Sequence, residues 1–344
     1  MGSNQVCVAF ITVLLINEAE AVEVGKPSKT SISSAARRAL AARDYDPSVR
    51  NPDWLAEQFL GPNERKILAG DQIIKDLDRD YREAIKEQEP STGMAHIRTR
   101  FIDERLQHAV SGGAAQVVIL GAGYDSRAYR MKELLKGVRV FEVDYGPTQE
   151  YKKRRVLEIF GCFPPNLTYV PIDFTQEKLG NVLARDGYRS DRMTFFIWEG
   201  VTQYIPEEAI RSTLRFVATE SAPGSSVVLD GKRKSFIDWV RANIASPEKV
   251  PQALRSTLAL QKRVADFGEP WIFGFPDGRE REFFKSLGLD IGELLPQDGR
   301  EAKVRYLTRR DGSVAFPVTS PGVTIDGVSP SPIGWVAEAI VPQR

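Results

Sequence analysis

Cysteine and histidine are nearly missing from this chain of 344 residues: Cys7, Cys162, His96 and His108 are all there is of either. Two cysteines cannot make a disulfide framework, and they leave no Cys-rich zinc site. Two histidines exclude a three-histidine metal centre. A Ser-His-Asp triad would have to use one of them, and both precede the first strand, an unusual place for a triad histidine. For His108 a satisfied structural role is expected. An excess of one charge is also missing. The net charge of +1 leaves no electrostatic footprint for nucleic acid or an anionic membrane. Two local basic runs, Lys152 to Arg155 and Lys232 to Lys234, read as a solvated helix face or loop.

The N-terminal apolar run, Val6 to Ile16, is too short to span a bilayer. Ala19-Glu20-Ala21 resembles a signal-peptidase site, yet no Lys or Arg precedes Lys26, so the charged n-region of a signal peptide is missing. Met1-Gly2 is not followed by Ser or Thr at position 6, as myristoylation would require. Residues 1–25 are therefore expected to be an appendage, either a packed strand or helix or a translated leader outside the fold. A cytoplasmic protein is expected.

What the chain does have is a core and a rhythm. An apolar fraction of 42% supports a sizeable core, in one large domain or two small ones. Residues 26–113 read as a helical cap. Ser33 to Arg43 is Ala/Arg-rich, Asn51-Pro52-Asp53 can open a helix, and Asp71 to Glu87 is a charged helix broken at Glu89 to Gly93. Ile97 to Val110 is a further helix, stopped by Ser111-Gly112-Gly113. The pattern then changes to apolar runs alternating with helices. Strands are expected at 117–121, 138–143, 167–171, 193–198 and 225–230, with helices at 126–136, 147–160, 175–186 and 206–220. This repetition argues for a parallel sheet covered on both faces, an α/β fold. Residues 232–280 interrupt it as a charged, helical insertion carrying Trp239 and Trp271. A helix at 279–287, a strand at 289–295, an irregular tail at 311–334 and a last antiparallel strand from Gly334 to Val341 would complete seven strands.

Chemistry gathers at the strand ends. Val117 to Leu120 runs into Gly121-Ala122-Gly123, a buried strand ending in a glycine turn that lets a ligand approach the backbone. About twenty residues on, a second strand ends in Glu142 and Asp144, where a carboxylate can accept ribose hydroxyls. The place of a third glycine is taken by Ser126, which counts against a dinucleotide pyrophosphate and suits S-adenosylmethionine. Asp173, beside Phe174, can accept from an adenine amino group; a helix N-cap at Asp173 or Thr175 is equally open. Glu199, beside Gly200, stands where open α/β sheets bind ligands and could hold a cofactor ammonium. Tyr204 could line the transfer site or be a core aromatic. Arg98 and Arg100 begin a helix before the first strand, where an arginine can clamp a carboxylate or face solvent.

VVILGAGYDSRAYR, VFEVDYG, YVPIDF and FIWEGVTQYIPEEAI, in that order and spacing, resemble the leucine carboxyl methyltransferase family of S-adenosylmethionine-dependent enzymes. The likeness is strongest to its bacterial and fungal branch of small methyltransferases. Lys26-Pro27-Ser28-Lys29-Thr30 and Arg98-Thr99-Arg100-Phe101 are similar to that branch's N-terminal motifs. The resemblance covers roughly residues 26 to 231.

It implies a class I, Rossmann-like methyltransferase domain over 114–344 with a lid at 232–280. It also implies roles by position. Arg98 would bind the methionine carboxylate. Gly121, Ala122, Gly123 and Asp125 would pass under the methionine and ribose. Asp144 would take the ribose hydroxyls, Asp173 and Phe174 would frame the adenine, Glu199 would meet the amino group and Tyr204 would face the acceptor.

Transfer from a sulfonium needs alignment and dryness rather than a covalent intermediate. A carboxylate acceptor needs no base. A phenol or enol does, and only Glu199, Tyr204, His96 or a lid residue could give it. Scarce histidine therefore points to O-methylation of a carboxylate or acidic hydroxyl on a small molecule, without a metal. A protein C-terminal carboxylate is the alternative acceptor. Two other classes remain: an NAD-dependent oxidoreductase, which would want the third glycine, and a non-catalytic S-adenosylmethionine-binding scaffold.

Overall fold

The computed structural model describes residues 28–62, 65, 90–173, 176–250, 252–266, 268–316, 318 and 333–343. The expected appendage at 1–25, the charged helix at 71–87 and Phe174 lie outside the described residues.

Helix α1 (Lys29–Ala41) begins where Ser28 accepts a hydrogen bond from the Ser31 N–H at 3.2 Å, satisfying an otherwise unpaired first-turn donor. Its Ala35, Ala36 and Ala39 are buried. A short helix, α2 (Ala56–Phe59), follows a turn in which Asn51 Oδ1 accepts from the Asp53 N–H at 2.9 Å. Asn51-Pro52-Asp53 thus makes the turn before the helix, not its first turn. Helix α3 spans Pro90–Ser111 and is not broken at Gly93.

Seven strands form one sheet: β1 (Gln116–Leu120), β2 (Arg139–Asp144), β3 (Leu167–Pro171), β4 (Thr194–Trp198), β5 (Ser226–Lys232), β6 (Asp290–Pro296) and β7 (Gly334–Ile340). Their spatial order is β3-β2-β1-β4-β5-β7-β6. The first five pair in parallel, and β7 runs antiparallel to both β5 and β6. The last strand therefore inserts inside the sheet. Trp335, Val336, Ala337 and Ala339 are all buried and suit a strand covered on both faces rather than an exposed edge.

Side chains alternate across the sheet, as a period of two requires. Val117, Ile119 and Ile197 face one core with Ala35, Ile97 and Phe101 of the helical cap. Val118, Leu120 and Trp198 face a second core, with Leu214 and Val217 of the helix at Glu207–Thr219 and with Phe284. The helix expected at 126–136 is short, Arg127–Arg130, and continues as turns in which Leu135 is buried while Lys132, Glu133 and Lys136 are exposed. After β3 the helix is Leu179–Arg185.

Between β5 and β6 the insertion carries helices at Lys234–Asn243 and Gln252–Asp266. They hold a small core of their own, with Phe236, Ile237, Val240 and Leu258. Its returning end is tied back to the sheet: the Phe275 N–H donates to Lys232 O at 2.8 Å, and the Ile272 N–H donates to Gln203 O at 2.7 Å. Among the described residues no helix is long and apolar enough to cross a membrane.

Candidate active site

The parallel strand order reverses between β1 and β4, and in such sheets the crevice beyond the strand C-termini takes the ligand. At the end of β1, Gly121 and Gly123 have φ of +62° and +42°, a region that favours glycine. A Cβ on Gly121 would run into Val201 Cγ2, and one on Gly123 would stand 3.1 Å from Ser31 Cβ. Ala122 between them is buried. Asp144, at the end of β2, receives the Gly123 N–H at 2.5 Å and the Tyr145 N–H at 2.7 Å. Burial pushes its carboxyl up, and these two donors and Lys152 work against that. A carboxylate has about four lone-pair sites, so Asp144 keeps acceptor capacity for further partners.

Glu142 is not its equivalent. It is buried and pairs with Lys152 at 2.7 Å. Burial pushes Glu142 up to about 7, against the pull of Lys152. Lys152 was expected on a solvated face; its partner on β2 draws it inside, where it is 1% exposed.

The second part of the site is an ion network. Arg98, on α3, donates from Nε to Glu199 Oε1 at 2.9 Å and from Nη1 to Asp230 Oδ2 at 3.1 Å. Arg127 donates from Nη1 to Glu199 Oε2 at 2.9 Å, from Nε to Asp103 at 2.8 Å, and also pairs with Asp125. Asp125 additionally receives the Arg127 N–H at 2.7 Å. Burial alone would raise the Glu199 carboxyl, but Arg127 and Arg98 override it and hold it well below the usual carboxylate range. Burial likewise opposes charge on Arg98, and Asp230 and Glu199 outweigh it. Asp230 Oδ1 receives the Gly200 N–H at 2.5 Å, which fixes the turn after β4.

Two residues before Arg98, His96 is buried between Asn51 Nδ2 at 3.2 Å and the Tyr306 carbonyl at 3.1 Å. One ring nitrogen accepts and the other donates, as in neutral imidazole. Burial, reinforced by Arg100, lowers its pKa to about 3. His96 is a structural residue and not a base. His108, expected to be satisfied in the structure, is exposed in the last turn of α3.

The third part lies on the side of the 232–280 insertion. Tyr204 ends a single helical turn, Thr202–Tyr204, and burial, with Glu269 adding to it, raises its phenol. Glu269 follows the helix at Gln252–Asp266 and accepts from the Thr30 hydroxyl and, at 3.3 Å, from the Ser28 hydroxyl. The Lys29 and Thr30 backbone amides also donate to it. The segment 28–31 is thereby strapped between the insertion and the glycine turn.

Arg98, Gly121 to Asp125, Asp144, Glu199 and Tyr204 thus gather at the C-terminal ends of the parallel strands. Arg100 instead donates to the Ser48 carbonyl at 2.7 Å. Asp173 lies two residues beyond β3, where its carbonyl accepts from the Gln176 N–H at 3.0 Å and the Glu177 N–H at 2.8 Å; the helix begins only at Leu179, after Lys178, so Asp173 is not its N-cap. Sequence reasoning missed Asp230, Lys232 and Glu269. Asp230 carried a usable signal, an acid near the end of an apolar strand like Glu199. Lys232 lay hidden in a basic run, and nothing local marks Glu269. A groove of about 760 Å³ lined by Gln176, Tyr188 and Phe216 contains none of these residues.

A glycine turn facing a strand-end acid, on a seven-stranded sheet with an antiparallel seventh strand, defines a class I methyltransferase. Residues 31–218 match the family described as leucine carboxyl methyltransferase. A Bacillus subtilis relative, provisionally named S-adenosyl-L-methionine-dependent methyltransferase YktD, is 31% identical over 304 residues, covering 84% of this chain and 94% of the relative. A similarly named Mycobacteroides abscessus protein is 30% identical over 229 residues, 64% of this chain and 72% of that one. A solved structure of a provisionally assigned methyltransferase from Thermobifida fusca shares the fold, with a TM-score of 0.53 at 13% identity, covering 95% of this chain and 100% of that chain. The chain belongs to the leucine carboxyl methyltransferase family of S-adenosyl-L-methionine-dependent enzymes.

The residues present fit that cofactor. The cradle at Gly121 and Gly123 has no room for a Cβ. Arg98 Nη2 has no hydrogen bond among the described residues and is free to meet a carboxylate. Glu199 and Asp144 retain lone pairs for an ammonium and for hydroxyls.

Proposed function

We propose that the protein methylates oxygen on a small molecule, a carboxylate first and an acidic hydroxyl second. The observation that carries this reading is that, among the described residues, Glu199, Tyr204, His96 and Glu269 are all engaged as something other than a base. Glu199 lies between two guanidinium groups. Tyr204 is held protonated, and His96 is bonded at both ring nitrogens. Glu269 is committed to the donors of residues 28–30. An acceptor that is already ionised at neutral pH needs none of them.

The site residues are assigned accordingly. Arg98 would hold the methionine carboxylate of the cofactor through Nη2, Glu199 its amino group, and Asp144 the ribose hydroxyls above the turn of Gly121, Ala122 and Gly123. Asp125 acts by orienting Arg127. Asp173 and Phe174 are assigned to the adenine by position. Tyr204 would wall the acceptor. When bound, S-adenosyl-L-methionine supplies an electrophilic methyl group on a sulfonium. The chain's own work is alignment and exclusion of water. The lid's apolar cluster and its ties to Lys232 and Gln203 favour an enclosed small acceptor over a protein C-terminus.

Two measurements test this. Calorimetry should show the protein binding S-adenosylhomocysteine; absence of binding would remove the cofactor assignment. Labelled methyl groups transferred to the acceptor should be released as methanol by mild base, and a base-stable product would refute the ester reading.

A further inference from the structure

We propose that Lys232 is the cation that anchors the acceptor's carboxylate, so that the substrate is a small anion with an aromatic or apolar body. This rests on the methyltransferase reading and adds to it the residue that selects the acceptor.

Lys232 ends β5 and is only 4% exposed. A lysine this buried ordinarily has a close partner. Here the nearest carboxylate, Asp230, is 3.7 Å away, an ion pair but too long for a hydrogen bond. Asp230 is already engaged: Oδ2 takes Arg98 at 3.1 Å and Oδ1 takes the Gly200 N–H at 2.5 Å. Asp298 adds a negative charge at longer range. The remaining contact is a face of Trp271, with Nζ 5.4 Å from the ring centroid. No described residue accepts a hydrogen bond from the ammonium, which has three donors to give.

Its position fits an acceptor pocket. Residues 230 and 232 lie on the same side of β5 by period two. Asp230 belongs to the ion network of Arg98 and Glu199, so Lys232 stands next to the methionine end of the site. Thr202 Oγ1 donates to Asp230 O at 2.9 Å, which ties the turn of Tyr204 to this strand. Trp271 lies close enough to Tyr204 to act on its phenol. The ammonium thus has one aromatic face, Trp271, on the side of the turn that carries Tyr204. Burial and then Arg98 push the Lys232 pKa down against Asp230, so an incoming anion would relieve the strain of its charge. Esterification removes the acceptor's charge, so Lys232 would hold the acid and let go of the ester.

The test is ligand-observed NMR titration of the S-adenosylhomocysteine-saturated protein at pH 7.5 with phenylacetate and phenylacetamide. Wild type should bind the carboxylate at least about ten-fold more tightly than the amide, the range of one charge-assisted contact. Lys232→Met should bring the two within about two-fold while S-adenosylhomocysteine affinity stays within about three-fold; Lys232→Arg should keep the preference. A wild-type ratio near one, or a preference that survives Lys232→Met, overturns the proposal. If Lys232→Met no longer holds S-adenosylhomocysteine, Lys232→Gln is read in the same way, and the wild-type ratio stands as a test on its own. Failure of wild type to bind S-adenosylhomocysteine would instead strike the methyltransferase reading.

Discussion

At the β1–β2 end of the site, Asp144 reaches a backbone N–H only 21 positions away, whereas at the β4–β5 end Arg98 reaches across 101 positions to Glu199 and 132 to Asp230. The first arrangement uses a turn and the end of the next strand, both local in sequence. Its donors are main-chain groups, which no substitution except proline removes. The second is made of side-chain charges from α3, β4 and β5, buried together. In such a place each charge is tolerable only because the others are there. Damage should therefore show as lost ligand at one end and as lost stability at the other.

Arg98→Met is the strongest way to break this comparison. It leaves Asp230 without its closest cation and Glu199 with only Arg127. A broken buried pair costs about 3–5 kcal/mol. Denaturant unfolding should show a loss of that size, along with loss of S-adenosylhomocysteine binding. The exposed pair of Arg43 with Glu57 gives the contrast, and Arg43→Met should cost under about 1 kcal/mol. Equal costs for the two substitutions would mean that the network does not hold the β4–β5 end together.

The second test falls on the other end. Asp144→Ala removes the carboxylate assigned to the ribose and leaves the glycine turn's backbone in place. Two charge-assisted hydrogen bonds are worth at least about 100-fold in affinity. Calorimetry with S-adenosylhomocysteine should show that loss, with a smaller loss in unfolding than Arg98→Met, because water can reach the two freed N–H groups at the open strand ends. Tyr204→Phe, on the acceptor side, should leave the same affinity within about three-fold. Unchanged binding in Asp144→Ala would refute the ribose assignment.

The same divide sets what was legible in the sequence. The strands β1 to β5 were visible within two residues of their observed ends, because they are short apolar runs between turn residues. The glycine turn, Asp144, Glu199 and Arg98 could be named from position along those elements. Lys152 and Lys232 could not. Each sits in a basic run that looks solvated; Lys152 is drawn in by Glu142 on β2, and Lys232 is buried as the last residue of β5, a strand covered along its whole length. Glu269 is defined by Thr30, 239 positions away. Nor could the pattern say that β7 inserts between β5 and β6, since its apolar residues identify a covered strand but not its neighbours.

Ser126 joins the two kinds of region and sharpens the comparison further. In sequence it marked only the absence of a third glycine. In the structure its φ is −105°, which suits any L-residue, and its hydroxyl links Asp53 at 2.5 Å to Arg130 at 3.0 Å. A glycine would lose that link and gain freedom in the unfolded chain. Ser126→Gly should cost about 1–2 kcal/mol in unfolding and leave S-adenosylhomocysteine affinity within about two-fold. A large drop in affinity would place Ser126 in the cofactor site itself.

The smallest expected effect is one of pH, and it lies on α3 beside Arg98. His96 is neutral in the fold, with its pKa lowered from 6.5 to about 3. In the unfolded chain it binds a proton near pH 6.5, so below that pH the unfolded state holds more protons than the folded one. Stability is then fully present above about pH 6.5 and is lost as the pH falls towards 3. Between pH 6.5 and 5.5 the loss from this one group should be about 1 kcal/mol. His96→Gln keeps a donor and an acceptor for Asn51 and the Tyr306 carbonyl but has no proton to bind. Unfolding free energies measured at the two pH values should therefore fall by about 1 kcal/mol less in the variant than in wild type. An identical fall would mean that His96 titrates in the fold as it does in the unfolded chain, which would undo the case against it as a base and reopen a phenol or enol as the acceptor.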